Sequence, residues 1–258
     1  PYAIYAKHSL KLRALNPLVQ SPDAPVRGII VHEIMERFIK SVMVEPENLT
    51  KAHLLETAST VLDAEAPWPA ARVMWLTKIE RIAEWFIENE VKRQSYSRPA
   101  AFEKAANGRH VLADLGFTLT GYADRIDRTD DGDILIYDYK TGTPPSVAEQ
   151  KAFDKQLLLE AAMIEEGGFK EIGPATVARA AYIGLGSKPI ERPAPLEDEP
   201  PHEVLAKLHA PITSYLSEDQ GFTSRRMVKT TDFAGDYDQL ARFGEWDATT
   251  EPTPEDLK

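Results

Sequence analysis

The sequence predicts an α/β protein in which a helical N-terminal layer packs on a sheet-containing core. Three observations predict it. Apolar residues recur at helical spacing through most of residues 26–94, and the composition shifts to β-favouring segments after Arg98-Pro99. From there a hairpin, a helix, a strand and a further helix follow one another.

The first helix is expected over Val26–Met43, where Ile30, Ile34, Met35, Phe38, Ile39 and Val42 form one stripe and Pro46 supplies a stop. Two more follow over Leu49–Ala64 and Ala70–Gln94, the latter with Met74, Trp75, Ile79, Ile82 and Phe86 as its core face. Strands are expected at Ala101–Glu103, Phe117–Asp124 and Ile134–Lys140. The turn residues Thr143 to Ser146 lead to a helix over Glu149–Glu166 that Gly167-Gly168 ends, and Thr176–Leu185 reads as a further strand. A Pro-rich acidic loop, Lys188–Pro201, precedes a last helix over His202–Ser217, and the tail after Thr230 is polar and poorly periodic. The expected organisation is one domain: a helical part (1–98), an α/β core (99–230) and a polar tail (231–258). The chain opens on Pro1 in what reads as the middle of a segment, so it is expected to be part of a longer protein.

Composition narrows the chemistry. With 258 residues, 43% of them hydrophobic, the chain can bury a sizeable core. It has no Cys, which excludes disulfides, thiolate metal sites, iron–sulfur clusters and Cys nucleophiles within it. His, Asp, Glu and backbone oxygens remain as metal ligands. The net charge of −11 argues against indiscriminate nucleic-acid binding, but the charge is unevenly spread. Residues 1–22 carry Lys7, Lys11 and Arg13 and no acid, whereas residues 231–258 are strongly acidic, so a local basic groove is compatible with the sum. No apolar run approaches the roughly 18 residues of a membrane span, and a soluble, cytoplasmic location without membrane attachment is expected.

One stretch departs from ordinary strand patterning: Gly121 to Gly142, GYADRIDRTDDGDILIYDYKTG. Asp130-Asp131-Gly132 suits a three-residue hairpin loop closed by a left-handed Gly. Centred on Asp131, the loop places Asp124 opposite Asp138, each seven residues away. Ile134, Ile136, Asp138 and Lys140 then share one face, while Leu135, Tyr137 and Tyr139 make the other apolar or aromatic too. A solvated cross-strand ion pair is the ordinary reading of such charges. In a strand apolar on both faces, two facing carboxylates instead call for a compensating cation, and hard divalent cations prefer oxygen ligands.

These residues carry a resemblance. GYADRID followed by IYDYKTG resembles the core of the PD-(D/E)XK nuclease superfamily, in particular the RecB-like branch that includes the nuclease domains of RecB, AddA and AddB helicase–nucleases. GIIVHEIMERF (Gly28–Phe38), KQLLLEAAM (Lys155–Met163) and the opening PYAIYAKHSLKL resemble the flanking segments of that branch, and DKQLLLEAAM with AGDYDQLARFGEW looks most like AddB without an iron–sulfur cluster. The resemblance implies a restriction-endonuclease-like core and an Mg²⁺- or Mn²⁺-dependent DNA exonuclease. Asp124, Asp138 and Lys140 would be catalytic, and His32, Asp124, Asp138 and the Tyr139 carbonyl would hold the metal. Gln156, Thr141 and Arg125 would meet the substrate, and DNA and an AddA-like helicase–nuclease subunit would be the partners. Many relatives have Tyr four residues after the Gln, where this chain has Glu160.

The other readings are weaker. Lys140-Thr141-Gly142 also occurs in penicillin-binding enzymes, but their S-x-x-K nucleophile is missing, and the zinc-peptidase-like start His32-Glu33 has Glu36 where a second His belongs. No G-x-x-x-x-G-K-[ST] loop occurs, so helicase activity would come from elsewhere. His32 is either a ligand or a core histidine. Gly28 is expected to let another backbone approach the His32 face. Glu103 is either a third acid beside the site or a surface residue, and Arg225, Arg226 and Lys229 are either a solvated turn or phosphate contacts. A silent nuclease-fold module for DNA binding or assembly, and a stand-alone Cas4-like nuclease, are the alternative functions.

Overall fold

The computed structural model describes residues 1–258 other than 14, 16–20, 104, 225–234, 248, 252 and 254–258. Arg225, Arg226 and Lys229 therefore lie outside the described residues. The chain divides into two compact units, Ser21–Ala206 and the pair of segments Pro1–Gln20 and Lys207–Lys258.

The larger unit opens with α2 (Ala24–Val44), which starts where Asp23 accepts the Val26 N–H as N-cap and Pro25 occupies the first turn. It is followed by α3 (Lys51–Glu65), capped by Thr50, and α4 (Pro69–Gln94). These three helices realise the expected N-terminal layer almost to the residue. Their stripes pack with Leu135, Tyr137, Tyr139, Ala181 and Ile183 into one core against one face of the sheet.

The sheet has five strands in the order β1-β4-β5-β6-β7: β1 (Ser97–Phe102), β4 (Arg125–Thr129), β5 (Ile134–Lys140), β6 (Val177–Gly184) and β7 (Ile190–Pro193). β5 and β6 run parallel and the other pairs antiparallel, giving a mixed sheet flanked by helices. Its second face buries Ile134, Ile136, Ala180 and Tyr182 against α6 (Gln156–Glu165) and Phe169. Every residue of β5 but the last is buried, as its two apolar faces require.

The hairpin has the expected register, with Arg125 opposite Tyr137 and Arg128 opposite Ile134. Gly132 closes its loop at φ 94°, a conformation that costs Gly least. The strand expected over Phe117–Asp124 differs. Its first part is β3 (Phe117–Tyr122), which pairs with β2 (Asn107–Leu112) in a separate two-stranded sheet. Ala123 gives its N–H to Ala106, and the chain then crosses into the main sheet, so Asp124 sits at the break. Phe117–Thr129 thus serves two sheets.

The helix expected over Glu149–Glu166 is two: α5 (Val147–Ala152), opened by a Ser146–Glu149 capping box, and α6. Phe153 leaves helical geometry at φ −129°, and Asp154 accepts a hydrogen bond from the Tyr182 hydroxyl at 2.6 Å, so a contact to the sheet interrupts the periodicity. The Pro-rich loop contains β7, whose pairing with β6 outweighs its composition. Val204 and Leu205, in the first turns of α7 (Pro201–Leu216), are buried.

In the smaller unit, a turn of helix, α1 (Tyr2–Ile4), runs into a π-helical turn, Tyr5–Ser9. The Tyr5 ring stacks on Phe222 and Phe222 on Tyr215, the Tyr2 N–H bonds to the Thr223 carbonyl, and the Tyr237 hydroxyl to that of Leu12. Among the described residues no helix is long and apolar enough to cross a membrane.

Candidate active site

Residues from α2, the β4–β5 hairpin and α6 converge at the C-terminal end of β5. Asp124, at the sheet break, uses its side chain where a ladder partner would stand: Oδ2 accepts the Tyr139 N–H at 2.7 Å. Its Oδ1 lies 3.3 Å from His32 Nδ1, and His32 Nε2 lies 2.7 Å from the Tyr139 carbonyl. Both ring nitrogens therefore face oxygen acceptors. Burial disfavours the imidazolium, but the Asp124 carboxylate and the Tyr139 carbonyl outweigh it and raise the His32 pKa.

Asp138, the residue before Tyr139 on β5, is 2% exposed. The Lys140 ammonium stands 2.8 Å from its Oδ2, although that oxygen receives no hydrogen bond of good geometry. Its Oδ1 accepts from Gln156 Nε2 at 2.7 Å. Burial, and then the Asp124 carboxylate, push the Asp138 carboxyl up to about 6 against the pull of Lys140. Lys140 reaches partly into solvent, lies over the Tyr182 ring at 5.1 Å, and donates to Gln156 Oε1 at 3.2 Å. One amide thus holds the carboxylate and the ammonium in a fixed relation.

Reading the sequence missed the next member. Glu160, one turn after Gln156 on α6, is 4% exposed; its Oε1 accepts from Gln156 Nε2 at 3.1 Å and its Oε2 has no partner. Burial pushes its carboxyl up to about 8, with the Gln156 hydrogen bond opposing and Asp138 adding to the effect. The four-residue spacing from Gln156 was the available signal. Glu103 stands beside the site: burial, then Glu36 and Asp124, raise its pKa.

Two expectations need correction. Arg125 is not a substrate contact: it is 0% exposed and gives bidentate hydrogen bonds to Glu90 on α4 and to Asp127. Arg93 joins through Glu90 and Glu191, and the Tyr139 hydroxyl touches Arg125 at 3.4 Å. Alternation along β4 turns Arg125 toward the helical layer, away from Asp124. Nor does Gly28 admit a backbone: a Cβ there would meet nothing within 4 Å. The close approach is at Gly184, where a Cβ would fall 2.5 Å from Pro144 Cδ in the loop behind Lys140. Thr141 is half-buried, and its Oγ1 lies 3.4 Å from an Arg27 nitrogen.

The profile of the PD-(D/E)XK nuclease superfamily matches residues 1–247. The chain belongs to that superfamily. It is 29% identical to an uncharacterized protein of Rickettsia bellii (strain RML369-C) over 172 residues, 66% of this chain and 20% of that protein. It is 28% identical to one of Rickettsia felis (strain ATCC VR-1525 / URRWXCal2) over 193 residues, 73% of this chain and 22% of that protein. The chain spans about a fifth of the length of the curated relatives it matches.

Nucleases of this superfamily generally use divalent metals, and the donor set here fits one. Among the described residues no three His, Asp or Glu side chains already form a closed cage. The fit rests on His32 with Asp124, on the Tyr139 carbonyl, and on the buried Asp138 carboxylate, whose Oδ2 is met by the Lys140 ammonium at 2.8 Å without a hydrogen bond of good geometry. A hard cation would take oxygen and imidazole ligands of this kind and offset the carboxylate repulsion that raises Asp138.

Proposed function

We propose that this chain is a divalent-metal-dependent deoxyribonuclease domain, an exonuclease acting within an AddAB-type helicase–nuclease in double-strand break repair. The observation that carries the chemistry is the convergence of Asp124, Asp138 and Lys140, with Gln156 bonded to both Asp138 and Lys140. The resemblance of the flanking motifs supports the AddB-like assignment, the Mg²⁺ or Mn²⁺ cofactor and an AddA-like partner.

Asp124, Asp138, His32 and the Tyr139 carbonyl would hold the cation. When bound, it polarises a phosphoryl oxygen and lowers the pKa of a water ligand. Lys140 places a positive charge beside the buried carboxylate, where it can donate to a non-bridging phosphate oxygen as negative charge develops in the transition state. Gln156 orients that ammonium through its carbonyl and steadies Asp138 through its N–H. Glu160, as the neutral acid, accepts the second Gln156 hydrogen and so fixes which end of the amide faces Lys140.

The test is cleavage of end-labelled linear DNA by the chain, alone and with an AddA-like subunit, in Mg²⁺, in Mn²⁺ and in EDTA. Fragments that depend on the metal are expected. No metal-dependent cleavage in either setting would refute the proposal.

A further inference from the structure

A small cleft lies between α2 and α4 where β5 and β6 end, lined there by Thr141 and Leu185. Its floor is apolar, with Trp75, Ile79 and Leu185, and its rim carries Arg27, Lys78 and Thr141. Thr141 directly follows Lys140, and Leu185 gives its N–H to the Lys140 carbonyl at 2.7 Å, so the cleft is tied to the strand that carries the site. On α2, Arg27 precedes His32 by five residues, roughly 7.5 Å of helix axis.

The net charge of −11 leaves carboxylates in excess of cations in this chain. Among the described residues neither Arg27 nor Lys78 lies within ion-pair distance of one. Among the described residues Arg27 Nε, which is buried, has no hydrogen-bond partner, and the one bond its guanidinium makes is a long one to Thr141 Oγ1, at 3.4 Å. A half-buried guanidinium with an idle donor is costly unless an acceptor arrives from outside. A planar fork, an ammonium and a hydroxyl are the groups that bind phosphate oxygens.

We propose that Arg27, Lys78 and Thr141 form a subsite for a backbone phosphodiester of the DNA strand whose neighbouring bond lies at Lys140. The inference rests on the nuclease reading and adds to it where the strand is gripped. The contact is to the backbone, so it carries no sequence preference.

The experiment measures fluorescein-labelled single-stranded oligonucleotide binding in EDTA, where no cleavage occurs, for wild type, Arg27→Gln, Lys78→Gln and the double variant over a series of salt concentrations. Inorganic phosphate serves as competitor, and Mn²⁺ titration and thermal melting run in parallel. The double variant is expected to lose affinity about tenfold and to show a salt slope shallower by about 1, with melting and Mn²⁺ affinity unchanged. Millimolar inorganic phosphate is expected to compete only weakly, because it lacks the rest of the strand. Oligonucleotide affinity and slope equal to wild type in a folded double variant would overturn the subsite, as would a wild type that binds no oligonucleotide. If wild type binds the oligonucleotide through these residues yet cleaves nothing with any metal, alone or with an AddA-like subunit, the nuclease reading fails and the subsite stands.

Discussion

Replacing Glu160 by Gln tests whether the buried acid beside Gln156 is held neutral. Glu160 is 4% exposed and its carboxyl is pushed from the ordinary 4.5 up to about 8. Between those values the folded chain keeps a proton that the unfolded chain releases. Its folded pKa is raised, so the stability it contributes is full at low pH and is lost as pH rises toward 8. The loss is about 1.4 kcal/mol per pH unit, or as much as roughly 4 kcal/mol between pH 5 and 8. The amide cannot ionise. It keeps an oxygen for Gln156 and places an NH₂ where Oε2 has no partner, a fixed penalty of about 1–2 kcal/mol at every pH. Asp138, raised to about 6, adds a pH dependence of its own to both proteins, and because it shares Gln156 with Glu160 the difference between them reads Glu160 together with its coupling to Asp138. In thermal melts in EDTA the gap between variant and wild type should therefore move in the variant's favour from pH 5 to pH 8. The shift should be on the order of 10 °C for a chain of this size. Parallel pH profiles would refute a neutral Glu160.

Three further outcomes follow from the geometry. Asp138→Ala and Lys140→Ala should each lower cleavage by about 10²-fold or more, while the circular dichroism spectrum keeps its native shape; near-wild-type cleavage by either would sink the proposed chemistry. His32→Ala should weaken Mn²⁺ binding in isothermal titration more than it weakens oligonucleotide binding, and equal Mn²⁺ affinity would return His32 to a core role. Arg125→Ala leaves Glu90 and Asp127 buried without their main cation, and should cost about 3–5 kcal/mol in urea unfolding; a loss under 1 kcal/mol would show that the cluster is not the anchor it resembles.

The helical layer was legible because its stripes are long and strongly periodic, and capping or Pro residues punctuate them. The hairpin was legible because one turn fixes its register: once Asp131 is the centre, Asp124 must face Asp138. What local pattern could not show was which sheet a segment joins. The strand expected over Phe117–Asp124 and the hairpin arm that follows it form one continuous stretch in the sequence, and only the partners Asn107–Leu112 and Ser97–Phe102 separate Phe117–Tyr122 from Arg125–Thr129. Ile190–Pro193 was hidden for a similar reason, since pairing with β6 supplies what a Pro-rich composition withholds. At the site, the carboxylates, Lys140 and Gln156 were named from motif and spacing, whereas Glu160 needed the packing of α6 against β5 to show that it is buried.

The misreading of Arg125 was avoidable from the same hairpin register. If Asp124 lies opposite Asp138, then Arg125 lies opposite Tyr137 on the other face of the sheet, and that face is the one the helical layer covers. A guanidinium there has no route to DNA and must find carboxylates inside the protein. The sequence held them too: Asp127 shares the face by two-residue alternation, and Glu90 follows Phe86 by four residues on the buried stripe of α4. An acid in the apolar stripe of one helix and a base on the covered face of a strand each call for a partner, and each satisfies the other. The result ties the hairpin to α4 directly behind the site, because Arg125 adjoins Asp124 in sequence and touches the hydroxyl of Tyr139, whose backbone N–H and carbonyl meet Asp124 and His32. Arg27 stands in the opposite situation, half-buried at a cleft mouth and, among the described residues, in no ion pair, since the nearby Asp23 carboxylate caps Val26 instead. Of the two arginines, Arg125 has its donors taken by carboxylates, whereas Arg27 keeps a buried Nε with no partner, and that difference is why the proposed phosphate subsite is built on Arg27.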